Sequence, residues 1–162
     1  MGDDSAVFAD FLTFSEAVTG FPAFRLQGTG QAELYCATVR DVVGAGILGE
    51  LLAAYRGVCA AAGQDQEAVA RALRREVFSN PKLGPVARQV IKLWYLGIWY
   101  QLPAGWRAAY GQSPHDRTFV VSPASFTEGL LWPTIGANPS GAKPFGYGMW
   151  AKPPSTAKAQ GR

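Results

Sequence analysis

Gly44-Ala45-Gly46-Ile47-Leu48-Gly49 is the stretch of this 162-residue chain best suited by residue type to a cofactor. It matches G-x-G-x-x-G, following Val42-Val43 and preceding a potential helix. In a dinucleotide-binding unit such glycines let the backbone approach a pyrophosphate at a helix N-terminus, and an acid about 20 residues further on completes the pattern. Asp65 and Glu67 stand at that distance. The context argues against the motif. Ala32–Val42 contains Glu33, Arg40 and Asp41 and reads as helix, as does Tyr55–Ala62. Asp65 and Glu67 open an amphipathic helix rather than close a strand, and nothing downstream alternates strands with helices. A helix start or kink with close helix packing explains the glycines more simply. A small nucleotide-binding enzyme built on Gly44–Gly49 is the alternative reading.

The other reactive side chains are scattered. His115, the only histidine, sits in Ser113-Pro114-His115-Asp116 and cannot make a usual zinc site alone. There is no G-x-S-x-G elbow to supply it with a nucleophile, so a solvated loop histidine is expected. Cys36 and Cys59 lack metal-ligand spacing and are expected to be small interior residues rather than a disulfide. Glu128 is the only acid in residues 117–162, and no pair of acids suits glycoside hydrolysis. No catalytic, cofactor-binding or metal-binding residue is therefore assigned in this chain.

The elements that must position any site are helical. Phe8, Phe11, Leu12, Phe14 and Val18 recur at helical spacing behind the N-cap candidates Asp3, Asp4 and Ser5, and Gly20 with Phe21-Pro22 stops the helix. Gln31–Val43 and Ile47–Ala62 read as two helical pieces. Gln64–Phe78 is amphipathic, with Glu67 four residues before Arg71, and Asn80-Pro81 breaks it. Pro85 suits the first turn of a helix containing Ile91–Tyr100 and ending near Pro103. Arg88 and Lys92 mark its polar side, but its second half is apolar all round, which implies burial all round and part of that surface against a partner. Thr118–Val121 is one short strand. From Ser122 onward Pro and Gly recur among Trp132, Phe145, Tyr147, Met149 and Trp150, too many aromatics for a disordered segment. The expectation is a mainly α fold: a helical bundle over 1–121, an ordered irregular arm over 122–154 that docks on something, and a flexible tail over 155–162.

With 48% hydrophobic and 17% charged residues, the chain is globular and large enough for one core. Its basic excess is local: residues 117–162 hold five bases against Glu128, while residues 1–116 are nearly neutral. No basic helix face or known motif supports nucleic-acid binding, whereas an acidic patch on a protein partner fits. The longest apolar run, Val42–Tyr55, contains Glu50 and is too short to span a bilayer. The aromatic residues expected at an interface are Trp94, Tyr95, Trp99, Tyr100, Trp132, Phe145, Tyr147, Trp150 and Pro153. A helical adaptor for an unrelated protein shares this packing logic.

Four segments carry a family resemblance: Phe11-Leu12-Thr13-Phe14-Ser15-Glu16-Ala17-Val18-Thr19-Gly20, Leu93-Trp94-Tyr95-Leu96-Gly97-Ile98, Phe119-Val120-Val121, and Tyr147-Gly148-Met149-Trp150-Ala151-Lys152-Pro153. In this order they resemble the small (gamma) subunits of bacterial flavin-dependent sugar dehydrogenases, the sorbitol, fructose and glucose dehydrogenase complexes. The resemblance spans most of the chain and is loose between Arg25 and Asn80. It implies a mainly helical, non-catalytic subunit that helps mature and export a large glucose–methanol–choline-type flavoprotein. That partner carries FAD and, in several members, an iron–sulfur cluster; a haem-bearing cytochrome c subunit passes electrons to the membrane quinone pool. It also implies a periplasmic location, with membrane association only through the complex. Family members usually begin with a twin-arginine signal. Met1-Gly2-Asp3-Asp4-Ser5 has no basic region and no apolar run, as expected of a processed or trimmed form or of a member exported differently.

Overall fold

The computed structural model describes residues 2–140. The expected architecture is present: a mainly helical fold with one two-stranded antiparallel sheet. Helix α1 (Gly2–Thr19) is followed by α2 (Ala23–Gly28), the long α3 (Ala32–Ala62), and α4 (Gln66–Ala72), which runs into a π-helical turn at Leu73–Phe78. Then come α5 (Leu83–Leu96), β1 (Ile98–Trp99), α6 (Ala104–Tyr110), β2 (Phe119–Val120), α7 (Pro123–Thr127) and α8 (Leu131–Thr134). In the sheet Ile98 faces Val120 and Trp99 faces Phe119.

The core lies where α1, α3 and α5 meet. Phe11 and Phe14 of α1, Val39, Leu51 and Leu52 of α3, and Val86, Val90 and Leu93 of α5 are all buried. Phe14 meets Tyr55 edge-on with ring centroids 5.5 Å apart. Helix α1 starts at Gly2, so the residues expected to cap it lie in its first turn, where the helix dipole favours acids. There Asp4 pairs with Arg40 at 2.9 Å, and one turn and a half later Asp10 pairs with Arg56. These two ion pairs bridge to opposite sides of a kink in α3 at Gly44, whose φ of 85° and ψ of 154° are not helical. Only glycine adopts that backbone readily. The apolar run in α3 is longer than Val42–Tyr55: Ala32–Ala62 is long and apolar enough to cross a membrane by length and composition. Its large side chains, Tyr35, Leu48, Leu51 and Tyr55 among them, nevertheless form this core.

Asp65 caps α4, its carboxylate accepting from the Glu67 and Ala68 amides at 2.9 and 3.1 Å, and Arg71 reaches Glu67 at 3.2 Å as the i,i+4 spacing implies. The following turn widens into a π-helix that keeps Leu73 and Val77 buried. Asn80 then turns the chain, its Oδ1 accepting from the Lys82 and Leu83 amides at 2.8 and 3.1 Å.

The structure corrects the reading of Ile91–Tyr100 as one helix. Helix α5 ends at Leu96, Gly97 takes the left-handed conformation at φ 69°, and Ile98–Trp99 is strand. An all-apolar cylinder is therefore not formed: the excess aromatics are on extended chain, where successive side chains alternate. Residues 122–140 complete this junction. The Val121 amide and the Ser125 hydroxyl donate to Gly97 O at 3.0 and 2.9 Å, and the Leu130 amide donates to Trp94 O at 2.9 Å. Ser122 and Ser125 form a reciprocal capping box that holds α7 in position. The rest of the expected arm and tail, from residue 141, lies outside the described residues.

A Cβ added at Gly97 would lie 2.4 Å from the Ser125 carbonyl oxygen, while one at Gly63, also at positive φ, would meet nothing within 4 Å. Gly97→Ala should therefore lose at least ~2 kcal/mol in urea unfolding from strain plus crowding, against about 1 kcal/mol for Gly63→Ala. Equal losses would show that the approach of Ser125 is not what demands glycine.

Candidate interaction surface

Helix α2 is six residues long and cannot bury two neighbouring large side chains on one face. Leu26 points into the core and is fully buried, which leaves Phe24 outside at 72% exposure, beside Arg25. Facing it is the segment that follows α7, from Glu128 through α8 to Pro139. Phe126 and Trp132 meet edge-to-face at 5.3 Å, the Trp132 indole donates to Phe126 O at 2.7 Å, and Ile135 follows at 59% exposure. Between these walls runs an open groove of about 500 Å³ with buried Leu130 among its lining residues. Gly129 allows the close approach that builds it: a Cβ there would be 2.7 Å from Tyr95 O. The hydroxyl of Ser122 donates to Gln31 Oε1 at 3.1 Å, tying the chain before α7 to the chain after α2.

Of the aromatic residues expected at an interface, the structure places Trp132 in this groove. Trp94 and Trp99 are corrected to core positions, at 1% and 0% exposure. Trp94 packs edge-on against Tyr35 at 4.9 Å. Trp99 donates from its indole to Asp116 at 2.9 Å. Tyr95 is half-buried and joins α5 to the end of α1, its hydroxyl donating to Thr19 O at 2.9 Å. Tyr100 is half-buried under the Lys92 ammonium, 4.9 Å from the ring centroid. Neither tyrosine lines the groove. Phe145, Tyr147, Trp150 and Pro153 lie outside the described residues.

Sequence reasoning missed two residues that matter. Phe24 was legible in principle, since a short helix between Pro22 and Gly28 with Leu26 inward has to show Phe24 to solvent. Asp116 was not. Its carboxylate is buried and accepts from the Trp99 indole and from the Leu102 amide at 3.1 Å, with Arg107 Nε 3.9 Å away. His115 beside it is exposed, as a solvated loop histidine should be.

The residues weighed for chemistry are not gathered into a site. Val42 and Val43 are helical, so no strand leads into Gly44. The kink expected there is present, but the expected close packing is not, since a Cβ at Gly44, Gly46 or Gly49 would meet nothing within 4 Å. Asp65 is a helix cap. Cys36 is buried and Cys59 half-buried, both are free thiols, and burial pushes the Cys36 pKa up, away from a reactive thiolate. Among the described residues no three His, Cys, Asp or Glu side chains come together as metal ligands. No protein family, curated protein or solved structure matches the chain.

The two kinds of aromatic position separate in a stability measurement. Trp94→Ala should cost about 3–5 kcal/mol, as for other fully buried large side chains. Phe24→Ser should stay within about 0.5 kcal/mol of the unaltered protein, as surface changes do. A large loss at Phe24 in thermal unfolding would place that ring in the core instead.

Proposed function

We propose that this chain is the non-catalytic accessory small subunit of a periplasmic, FAD-dependent sugar or polyol dehydrogenase complex. It binds the large glucose–methanol–choline-type flavoprotein and holds it in a folded, exportable state. FAD, any iron–sulfur cluster and the substrate pocket belong to that partner, haem belongs to a cytochrome c subunit, and the membrane is reached only through the complex.

The observation that supports this reading is the groove between α2 and α7–α8. It brings exposed Phe24 together with Leu130 and Trp132, whose ring packs on Phe126, and in sequence it precedes the aromatic stretch that resembles the family's C-terminal motif. Large apolar side chains open to solvent on one face mark an interaction site more often than a folding requirement. Each of them contributes roughly 1.5–3 kcal/mol when fully buried against a partner, so a few suffice as anchors of a stable interface. Trp99, expected among those anchors, is used inside the chain. Phe24 takes its place.

Purification of the tagged chain from its native host should recover a larger polypeptide with flavin absorbance in the visible spectrum. Recovery of the chain alone, with no flavin, would overturn the assignment. Replacing Tyr147 and Trp150 together by Ala should lower the yield of the complex by tenfold or more, on the order expected for two hot-spot residues. A full yield would show that the C-terminal motif is not an anchor.

A further inference from the structure

We infer that the cleft where α1 and α3 end binds a small organic ammonium ion, an alkylamine in its protonated form. The site belongs to this chain alone, whatever partner the chain has. The cleft holds about 460 Å³, within the range of small-molecule sites, and shares no lining residue with the groove between α2 and α8. Gly20 and Gly63, which follow the last residues of α1 and α3, both line it, so two helix C-termini converge there. Helix C-termini carry partial negative charge and favour cations. Neither helix has a basic residue in its last turn to meet that charge.

The one charged residue of the lining has the same sign. Glu16 stands in the last turn of α1, the wrong end of a helix for an acid, and no base lines the cleft to offset it. Among the described residues its carboxylate accepts one hydrogen bond, from the Ala23 amide to Oε1 at 3.3 Å, which leaves Oε2 for a ligand. The start of α4 at Gln66 presents the opposite end of a helix dipole, but Asp65 already caps it. Burial, the Cys59 thiol and the Glu16 charge all push the Tyr55 phenol above its ordinary pKa, so it stays neutral and adds no second charge. An ammonium head at Glu16 Oε2 therefore meets a carboxylate, two helix ends and the rings of Phe21 and Tyr55, and aromatic faces attract cations. Ala17, Pro22 and Val69 supply an apolar wall for a short alkyl stem. A lone carboxylate among rings and alkyl groups offers too few oxygens for calcium or magnesium.

The test is an NMR titration of the full chain with n-butylammonium chloride, with NaCl and n-butanol as controls. The amides of Glu16, Gly20, Cys59 and Gly63 should shift and saturate with n-butylammonium and not with equimolar NaCl or n-butanol. Glu16→Gln keeps an oxygen for the Ala23 amide but loses the charge. It should melt with the unaltered chain and bind n-butylammonium about tenfold more weakly or worse, as loss of a charge-assisted hydrogen bond does. If that variant melts early, the comparison of n-butylammonium with n-butanol decides alone. No saturable shift up to about 20 mM n-butylammonium, where so small a ligand of ordinary efficiency would be seen, would overturn the site. So would n-butanol binding as well as n-butylammonium, or a folded Glu16→Gln chain that binds as well as the unaltered one. N-acetyl-lysine-N-methylamide carries the same head on a peptide backbone and should bind no more tightly than n-butylammonium. Clearly tighter binding of the lysine derivative would give the cleft to a lysine of a protein partner and overturn the small ligand.

Discussion

The fold depends on how the C-terminal end of α5 is closed. Helix ends leave carbonyl groups without partners, and a buried one costs free energy unless a donor is brought to it. Here Gly97 turns the backbone left-handed, and the donors come from residues well downstream: the Val121 amide, the Ser125 hydroxyl and the Leu130 amide. The close approach is possible because neither Gly97 nor Gly129 has a Cβ to obstruct it. Everything that follows α5 is organised by this closure. It sets the pairing of β1 with β2, buries Trp99 over Asp116, and fixes α7 and α8 opposite α2.

The groove is a by-product of the same closure. Leu130 is held by Trp94 O, so the segment from Gly129 onward runs at a fixed height above the core. Helix α2 is anchored separately by Leu26, and its brevity forces Phe24 outward. The two walls are held for different reasons, and the Ser122–Gln31 hydrogen bond ties the chain before α7 to the chain after α2. A surface preorganised in this way loses little freedom on binding.

Much of the helical fold was legible in the sequence because its helices carry strong local signals. Gly20 and Pro22 end α1, Asp65 caps α4, Asn80-Pro81 breaks the chain before α5, and the Thr118–Val121 strand reads as β-branched and aromatic. What misled was composition at Trp94–Tyr100. An unbroken aromatic run carries no mark of where a helix yields to a strand except Gly97, and a glycine at that point reads equally well as part of a helix. The same run shaped the list of interface residues, since Trp94 and Trp99 read as surplus apolar surface while each has a partner inside the chain. The groove was half legible: Trp132 announced itself as an aromatic in a Pro/Gly-rich stretch, but its sharing one groove with Phe24 brings together residues more than a hundred positions apart.

That long reach has a consequence for the order in which the molecule can form. Tyr95 bonds to Thr19 across 76 residues and Ser122 to Gln31 across 91. Structures that rely on such distant contacts fold slowly, because long loops must close before they gain anything. During synthesis α1, α3 and most of α5 are complete while the donors for Trp94 O and Gly97 O have yet to be made. The nascent chain therefore displays an aromatic helix end with open carbonyls until Leu130 emerges, and it is in that interval that its apolar surface is most open to aggregation or to capture by another protein.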